Sequence, residues 1–351
     1  MNLLEYKKQI VYIGADNSGS TSRHRADALR RIGCPVTVFD PYLVVKSNRK
    51  LINVFNYHSS FVFVQKLLLQ KLKRFFSTLS FVPDVIWVNS GELLGITILK
   101  WLKRNFNSKV ILYQNDDPTG NRDGNRFLTL RKSIPYYDLC VCVRYETELD
   151  FLCLGAKKTY RVMMSYDECE HKIDKLDESI IVPRVGFLGT LIKKESRDIF
   201  ILDLLKLFVP IDIIGPNWTK SKHWLRLKKN VLKSYISGSE YSLCLQKYAL
   251  SLGLLSHGNR DLITTRTFEI PAAHGLLCAE KTSEHQLLYE HLFEAVFWSS
   301  SVECASLCKS LIQDMNLNKF IRINGFAHLI ALGQGNEDVC LRILRVLFDP
   351  C

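Results

Sequence analysis

Two carboxylates and an arginine lie close together in the stretch "SHGNRDLITTRTFEIPAAHG". Asp261 and Glu269 are separated by seven residues, and Arg266 lies between them. A guanidinium at the start of a helix, together with the free N–H groups there, can neutralise a diphosphate leaving group. Glu269 can accept hydrogen bonds from a ribose diol, and Asp261 can accept them from sugar hydroxyls. The same residues are also compatible with a plain loop that leads into a buried helix with an internal Arg–Glu pair.

Glycine and threonine residues could complete a phosphate pocket around this stretch. Thr265 and Thr267 flank the arginine, and "RVGFLGT" ends in Gly189 and Thr190. A glycine lets the backbone approach a ligand closely, and a threonine hydroxyl can donate to a phosphate oxygen. The predicted donor-binding residues are Gly189, Thr190, Asp261, Thr265, Arg266, Thr267 and Glu269.

A second candidate anion site lies in "GADNSGSTSRH", before the first predicted helix. Gly19, Ser20 and Thr21 would form the loop and the helix start, with Arg23 one turn further on. A helix N-terminus favours an anion. The pattern is neither G-x-G-x-x-G nor a P-loop, so it does not support a nicotinamide or ATP site. The alternative is a loop whose Ser and Thr residues only cap the helix.

Two adjacent carboxylates, Asp116 and Asp117, follow a predicted strand in "YQNDDPTG". At the edge of a cleft they could hold an acceptor hydroxyl or take its proton, and Pro118 would end the strand. The alternative is a turn with solvated acids. Together with Arg266, these two residues are the catalytic candidates.

Short apolar, β-branched segments alternate with helical patterns, which predicts parallel sheets with crossover helices. The predicted strands are 9–15, 35–41, 83–90, 109–116, 137–143, 184–190 and 209–216, a strand that ends near 256, and 276–280. The predicted helices are 23–33, 93–105, 196–208, a helix that begins near 239, 265–275, 302–315 and 337–347.

This order of elements predicts two similar α/β domains with a cleft between them. The predicted divisions are a first domain (1–164), a polar linker (165–184), a second domain (185–335) and a final helical segment (336–351). Ligands of parallel sheets bind beyond the carboxyl ends of the strands. The candidate residues above lie mostly in such positions.

The composition, with 47% hydrophobic and 23% charged residues, is that of a globular protein. No apolar run is long enough to span a bilayer, and no signal peptide is evident, which favours the cytoplasm. The eleven cysteines contain no C-x-x-C pair and are interpreted as reduced, mostly buried thiols.

The formal net charge of +12 is concentrated in the basic segment 46–74, where lysines and arginines alternate with apolar residues. This pattern fits a helix that covers a sheet with solvated lysines, or a peripheral contact with an anionic membrane. No nucleic-acid motif accompanies the charge, so a nucleic-acid partner is not predicted.

The stretch "TRTFEIPAAHGLLCAEKTSEH" resembles the C-terminal part of the CgeB-like glycosyltransferases, which share a T-x-R-x-F-E-x-P-A core followed by a T-x-E-H segment. The matching residues are Thr264, Arg266, Phe268, Glu269, Pro271, Ala272, Thr282, Glu284 and His285. The blocks "STSRHRADALRRIG", "YQNDDP", "YDLCVCV", "GAKKTYRV" and "VGFLGT" are similar to blocks of that family and occur in the same order.

The resemblance implies a GT-B fold, in which two Rossmann-like domains face each other across a cleft and the second binds a nucleotide-sugar donor. It also implies transfer without a metal or cofactor. In related enzymes two glutamates seven residues apart face the donor; Glu269 matches the second, and Asp261 occupies the first position. His274 stands where relatives commonly have a small residue, and we expect the histidines at 257, 274 and 285 to be structural.

We therefore predict a cytoplasmic hexosyltransferase-like enzyme with retention at the anomeric carbon. Its predicted acceptor is a glycan or lipid-linked acceptor of a bacterial envelope, with the inner face of the cell membrane as a candidate location; a protein or a secondary metabolite is the alternative acceptor. Two alternatives remain open: a nucleotide-sugar binding protein without activity, and a nucleotide-sugar epimerase on the same fold.

Overall fold

The computed structural model describes residues 7–120 and 122–348, which form two compact units. The first unit is the chain up to Met163 together with the chain from Asn336 onward, and the second extends from Met164 to Gly335. Each unit contains a six-stranded sheet with parallel pairing. The predicted α/β class with two Rossmann-like domains is confirmed.

The first sheet is built from short strands that are buried under helices. In chain order the strands are β1 (Ile10–Ile13), β2 (Val36–Phe39), β3 (Val85–Asn89), β4 (Lys109–Gln114), β5 (Leu139–Cys142) and β6 (Thr159–Arg161). Their order in the sheet is β2-β1-β3-β4-β5-β6. Every residue of β1, β3 and β5 is buried, which explains why these strands are continuous apolar runs without alternation. The first five strands were predicted, and β6 was not.

The helices of the first unit before the second sheet are α1 (Thr21–Arg31), α2 (Pro41–Val45), α3 (Lys50–His58), α4 (Gln65–Phe76), α5 (Ile96–Asn105), α6 (Leu128–Ser133) and α7 (Tyr145–Cys153). The basic segment 46–74 thus spans two helices that pack differently. Helix α4 buries Leu68, Leu72 and Phe76, one helical turn apart, in the core of the first unit. Helix α3, which is described throughout, buries Asn56 alone.

The second sheet has the order β12-β11-β10-β7-β8-β9. Its strands are β7 (Val182–Leu188), β8 (Ile211–Ile214), β9 (Val231–Lys233), β10 (Tyr248–Gly253), β11 (Leu277–Glu280) and β12 (Val296–Trp298). Its helices are α8 (Arg197–Lys206), α9 (Trp224–Leu227), α10 (Gly238–Lys247), α11 (Arg266–Ala272), α12 (Ser283–Leu288), α13 (Ser301–Gln313) and α14 (Met315–Leu332). Four of the predicted strands are confirmed here, whereas β9, β12 and α14 were not predicted.

The last helix, α15 (Asn336–Phe348), belongs to the first unit and packs on α1. Its buried apolar side chains are Val339, Cys340, Ile343 and Leu344, which form one stripe of the helix. Arg31 of α1 is ion-paired with Glu337, and Lys158 Nζ donates to Val346 O over 2.7 Å.

The segment 165–184, predicted as a linker, lies within the second unit. Ile173 N donates to Ala272 O over 3.0 Å, and Asp177 N donates to Gln246 Oε1 over 3.2 Å. The residues from Val182 onward already belong to β7. These backbone hydrogen bonds attach the segment to the rest of the second unit.

Seven of the ten cysteines within the described residues are buried, which confirms the prediction of mostly buried thiols, and none of the ten is in a disulfide in this structure. Cys153 in the first unit and Cys169 in the second are exposed. Cys278, Cys304 and Cys308 lie close enough to share a metal ion, but all three are enclosed in the apolar core of the second unit. We interpret them as small core residues.

Candidate functional site

A cavity of about 200 Å³ opens at the carboxyl ends of β7 and β8 in the second unit. Such strand ends are where ligands of parallel sheets bind. The residues that line it are Leu188, Gly189, Thr190, Ile214, Gly215, Pro216, Tyr235, Ile236, Tyr241 and Arg266. The structure therefore brings together three of the predicted donor-binding residues, from two distant parts of the chain.

The wall of the cavity is formed by two glycine backbones in close contact. A Cβ atom on Gly215 would lie 2.1 Å from the carbonyl oxygen of Gly189, and Gly215 has a φ of +154°. Trp218 Nε1 donates to the same Gly189 oxygen over 2.9 Å. Only glycine fits at position 215 without moving the backbone. Gly215 was not predicted as a site residue, although the glycine in "IIGP", at the end of the predicted strand 209–216, was a usable signal.

Arg266 is the first residue of α11 and lies at the cavity with 29% of its side chain exposed. Its Nε donates to Leu188 O over 3.0 Å, at the end of β7. Its guanidinium lies over the ring of Tyr241, 5.0 Å from the centroid. These contacts fix the cation in place while part of it stays accessible from the cavity.

Glu269 is 3% exposed and bonded within the protein. Oε2 accepts hydrogen bonds from Arg266 Nη1 and, over 2.6 Å, from the Tyr241 hydroxyl, and Oε1 lies 3.8 Å from His171 Nε2. Burial alone would raise the pKa of Glu269, but Arg266, His171 and the Tyr241 hydrogen bond together lower this pKa to about 2. The carboxylate is therefore ionised at neutral pH and orients Arg266.

The hydroxyls on either side of Arg266 have different environments. Thr265 Oγ1 lies 3.4 Å from Arg266 Nη1. Thr267 is 1% exposed, and its hydroxyl lies 2.9 Å from His285 Nε2. Because His285 Nδ1 lies 2.7 Å from Glu280 O, this nitrogen carries the proton and Nε2 accepts from Thr267. The Thr267 hydroxyl thus joins α11 to α12.

Asp261 lies in the loop between β10 and α11 and is 7% exposed. It does not line the cavity, and its backbone N–H donates to Ser256 O over 3.3 Å. The same loop is held by Glu195, whose Oε1 accepts from Gly258 N and whose Oε2 accepts from His257 N, each over 2.9 Å. The structure therefore pairs Arg266 with Glu269 and places Asp261 in the preceding loop.

His274 directly follows the C-terminal end of α11 and has a left-handed φ of 53°. Its ring stacks on Phe326, with 3.7 Å between the centroids. Glycine is common at this position of a helix terminus. The histidine thus occupies a backbone position that favours glycine, and its ring is packed against Phe326 within the second unit.

In the first unit, the predicted anion loop is already engaged by its own helix. The Ser20 hydroxyl caps α1 by accepting from Arg23 N over 3.1 Å, and it donates to Asn17 O over 2.9 Å. Arg23 is paired with Asp16 over 2.7 Å and with Asp27 over 2.8 Å. Gly19 has a φ of +76°, and Thr21 is exposed at the first position of the helix. An anion here would compete with two carboxylates for Arg23.

The two adjacent aspartates differ in role. Asp117 is 2% exposed, and its Oδ1 accepts from Gly120 N over 3.0 Å and from the Thr119 hydroxyl over 3.1 Å. This is a turn that an aspartate stabilises. Asp116 is partly exposed, with Oδ2 3.4 Å from Arg126 Nη1.

Arg126 joins Asp116 to a buried acid that the sequence analysis missed. Arg126 Nε lies 2.6 Å from Glu92 Oε2, and Glu92 is 3% exposed. Burial raises the pKa of Glu92 despite the nearby guanidinium. Glu92 follows β3 in "NSGELLG", so its place after a strand and a glycine was the available signal.

Comparison with known proteins supports the architecture. Residues 195–331 match the family model described as glycosyl transferase-like (Glyco_trans_1_2), over less than half of the chain. No curated protein sequence matches the chain.

No helix among the described residues is long and apolar enough to cross a membrane.

Several solved structures match almost the whole chain. The Anabaena HepE structure in complex with UDP and glucose gives a TM-score of 0.67 over 97% of this chain and 99% of that chain, at 13% identity. Sucrose-phosphate synthase from Thermosynechococcus elongatus gives 0.69 over 97% and 98%, at 10% identity. A UDP-forming α,α-trehalose-phosphate synthase from Burkholderia vietnamiensis gives 0.61 over 97% and 98%, at 13% identity. The chain therefore has the GT-B fold.

Proposed function

We propose that this protein transfers a sugar from a nucleoside-diphosphate donor to an acceptor hydroxyl. The observation that carries the proposal is Arg266, fixed at the start of α11 beside a cavity walled by Gly189 and Gly215. HepE, which has the same fold, has been solved with UDP and with UDP-glucose. The glycosyl transferase-like match covers α11 and most of the second unit.

In this mechanism the donor diphosphate binds in the cavity of the second unit. Arg266, at the start of α11, stabilises the negative charge that develops on the departing diphosphate. Glu269 keeps the guanidinium in its productive orientation, while Thr190 and the Gly189 backbone contact the phosphates. Because this charge is neutralised by the protein, the transfer needs no metal.

On the acceptor side we propose Asp116, rather than Asp117, as the group that binds the acceptor hydroxyl or takes its proton. Asp116 is partly exposed, whereas the Asp117 carboxylate accepts hydrogen bonds from the turn that follows it. The basic segment 46–74, with its interleaved apolar residues, suits a glycan or lipid-linked acceptor at a membrane surface, as in envelope synthesis. The resemblance to enzymes with two glutamates facing the donor favours retention of the anomeric configuration.

The first prediction concerns the cation of the donor site. Arg266→Met should lower the rate of transfer or donor hydrolysis by about a hundredfold or more, because one positioned donor to a developing anion has that effect. Candidate donors are first found by thermal shift with nucleoside diphosphates and their sugars, since a ligand specific for the folded state raises the melting temperature. Turnover is then followed by chromatography of the nucleotide products.

Arg226→Met, at an exposed arginine of the same unit, is the matched control and should keep full activity. Undiminished turnover in folded Arg266→Met would refute the proposed site. A bound donor without turnover would indicate an inactive binding protein. A sugar that is altered but still joined to its nucleotide would indicate an epimerase.

A further inference from the structure

The first unit contains a long segment without acidic residues. Between Asp40 and Asp84 the sequence has no aspartate or glutamate. It has seven basic residues, which are Lys46, Arg49, Lys50, Lys66, Lys71, Lys73 and Arg74. All seven are exposed. The segment therefore presents uncompensated positive charge.

Large apolar side chains are exposed on the same segment. Leu51 is 83% exposed, Phe55 56%, and Phe63 69%. The rings of Phe55 and Phe63 stack with 5.3 Å between their centroids, so helix α3 and the turn after it share one patch. We call this the α3 surface; its apolar residues are Leu51, Ile52, Val54, Phe55, Val62 and Phe63.

Helix α4 exposes less apolar surface than α3, with Leu67, 43% exposed, as its one large exposed apolar residue. The apolar residues Leu68, Leu72 and Phe76 of α4 are all in the core. Its lysines at 66, 71 and 73 are exposed. Helix α4 thus anchors the segment to the sheet, while α3 directs its apolar side chains to solvent. A contiguous exposed apolar patch of this kind marks an interaction surface.

We infer that the α3 surface docks on an anionic lipid bilayer. Leucine and phenylalanine side chains would enter the boundary between headgroups and acyl chains, and the surrounding lysines would contact lipid phosphates. The absence of acidic residues favours an anionic partner, and the exposed aliphatic side chains favour a bilayer over a nucleic acid, whose phosphates would need the basic residues alone. This docking is independent of sugar transfer and goes beyond the function proposed above.

The test is flotation of the full chain with vesicles, in the absence of any donor. We expect binding to vesicles of equal parts phosphatidylcholine and phosphatidylglycerol, and little binding to phosphatidylcholine alone. The charge variant Lys50→Gln/Lys66→Gln should weaken binding by about fivefold for each lysine removed. The apolar variant Leu51→Ser/Phe63→Ser should also reduce binding, and this effect should persist at high salt because it is not electrostatic.

Matched controls lie outside the α3 surface. Phe208→Ser/Leu225→Ser removes two side chains that are 88% and 78% exposed in the second unit. Lys132→Gln/Lys309→Gln removes two exposed lysines. Both controls should bind vesicles as the wild type does, and all variants should keep its melting temperature because the altered side chains are exposed.

Three outcomes would overturn the inference: no binding of the wild type to anionic vesicles at low salt, equal loss in controls and α3 variants, or full binding by both α3 variants. A nucleic acid or protein that binds through the same residues while vesicles do not would identify a different partner.

Discussion

The buried carboxylate of Glu269 holds the guanidinium of Arg266 in position beside the cavity. They are three residues apart on α11, so their side chains project from the same face of the helix. Burial removes the Glu269 carboxylate from water, and hydrogen bonds from Arg266 and the Tyr241 hydroxyl replace the lost hydration. Removing Arg266 would leave the Glu269 carboxylate buried without its counter-charge, which is strongly destabilising. The pair is therefore part of the fold as well as of the proposed site.

The pH dependence of stability provides a prediction at the residue scale. Burial lowers the pKa of His285 from 6.5 to about 4 in the folded protein. The unfolded chain therefore takes up a proton at this residue below pH 6.5, whereas the folded chain does not until about pH 4. Between neutral pH and about pH 5, this difference should lower the free energy of unfolding by about 2 kcal/mol.

The measurement compares urea unfolding of the wild type and His285→Gln across that pH range. The variant should lose this part of the pH dependence, and His58→Gln, at an exposed histidine, should retain it. An unchanged pH slope in His285→Gln would show that His285 has a normal pKa.

The sequence supported some residue predictions better than others. Arg266 and Glu269 were predictable as a pair because their helical spacing brings them together. Tyr241 and His171, which complete the network, come from α10 and from the segment before β7, so local spacing carried no signal for them. The prediction for Asp261 assumed the geometry of a related loop, and in this chain the residue lies before the helix, away from the cavity lining.

Helix α14 is held by a buried arginine that links several elements. Arg322 is 1% exposed, and its guanidinium donates to backbone carbonyls at the ends of α10 and α11 and in β10. Two of these bonds, to Gln246 O and His274 O, are 2.9 Å long. The side chain thus satisfies carbonyl groups that the helix ends leave unpaired.

Arg322→Met should destabilise the second unit by about 3 kcal/mol or more, because several buried carbonyls would lose their donor. Lys319→Met on the same helix removes an exposed ion pair with Glu178 and should cost less than about 1 kcal/mol. Chemical denaturation followed by circular dichroism measures both. A stable Arg322→Met would mean that water replaces the guanidinium.

At the scale of elements, strands with long apolar runs were predictable, whereas the short strands at the edges of the second sheet were not. β9 has three residues at a sheet edge, within a lysine-rich segment that resembles a loop. β12 is the opposite edge and is also three residues long. The segment 165–184 was predicted as a linker because its polar residues have no periodicity. The residues that hold its backbone, at 246 and 272, lie far away in the chain and gave no local signal.

The return of the chain to the first unit gives a prediction for the whole molecule. Ile343 is fully buried in α15, which packs on α1. Ile343→Ala should destabilise the first unit by about 2–5 kcal/mol through a cavity at this contact. Hydrogen exchange should then speed up in α1 and β1 while β10 and β11 of the second unit keep their protection.

Arg345→Ala, at an exposed position of the same helix, is the control and should leave exchange unchanged. Faster exchange in the second unit of Ile343→Ala would show that α15 stabilises the other half of the molecule.

The positions of the exposed cysteines allow the distance between the two units to be followed by fluorescence. Cys153 and Cys169 are exposed in different units, while most of the other described thiols are inaccessible to reagents. With Cys244 and Cys351 replaced by serine, two maleimide dyes would attach one to each half of the chain. Energy transfer between them would then report whether a nucleotide sugar changes the separation of the halves in solution.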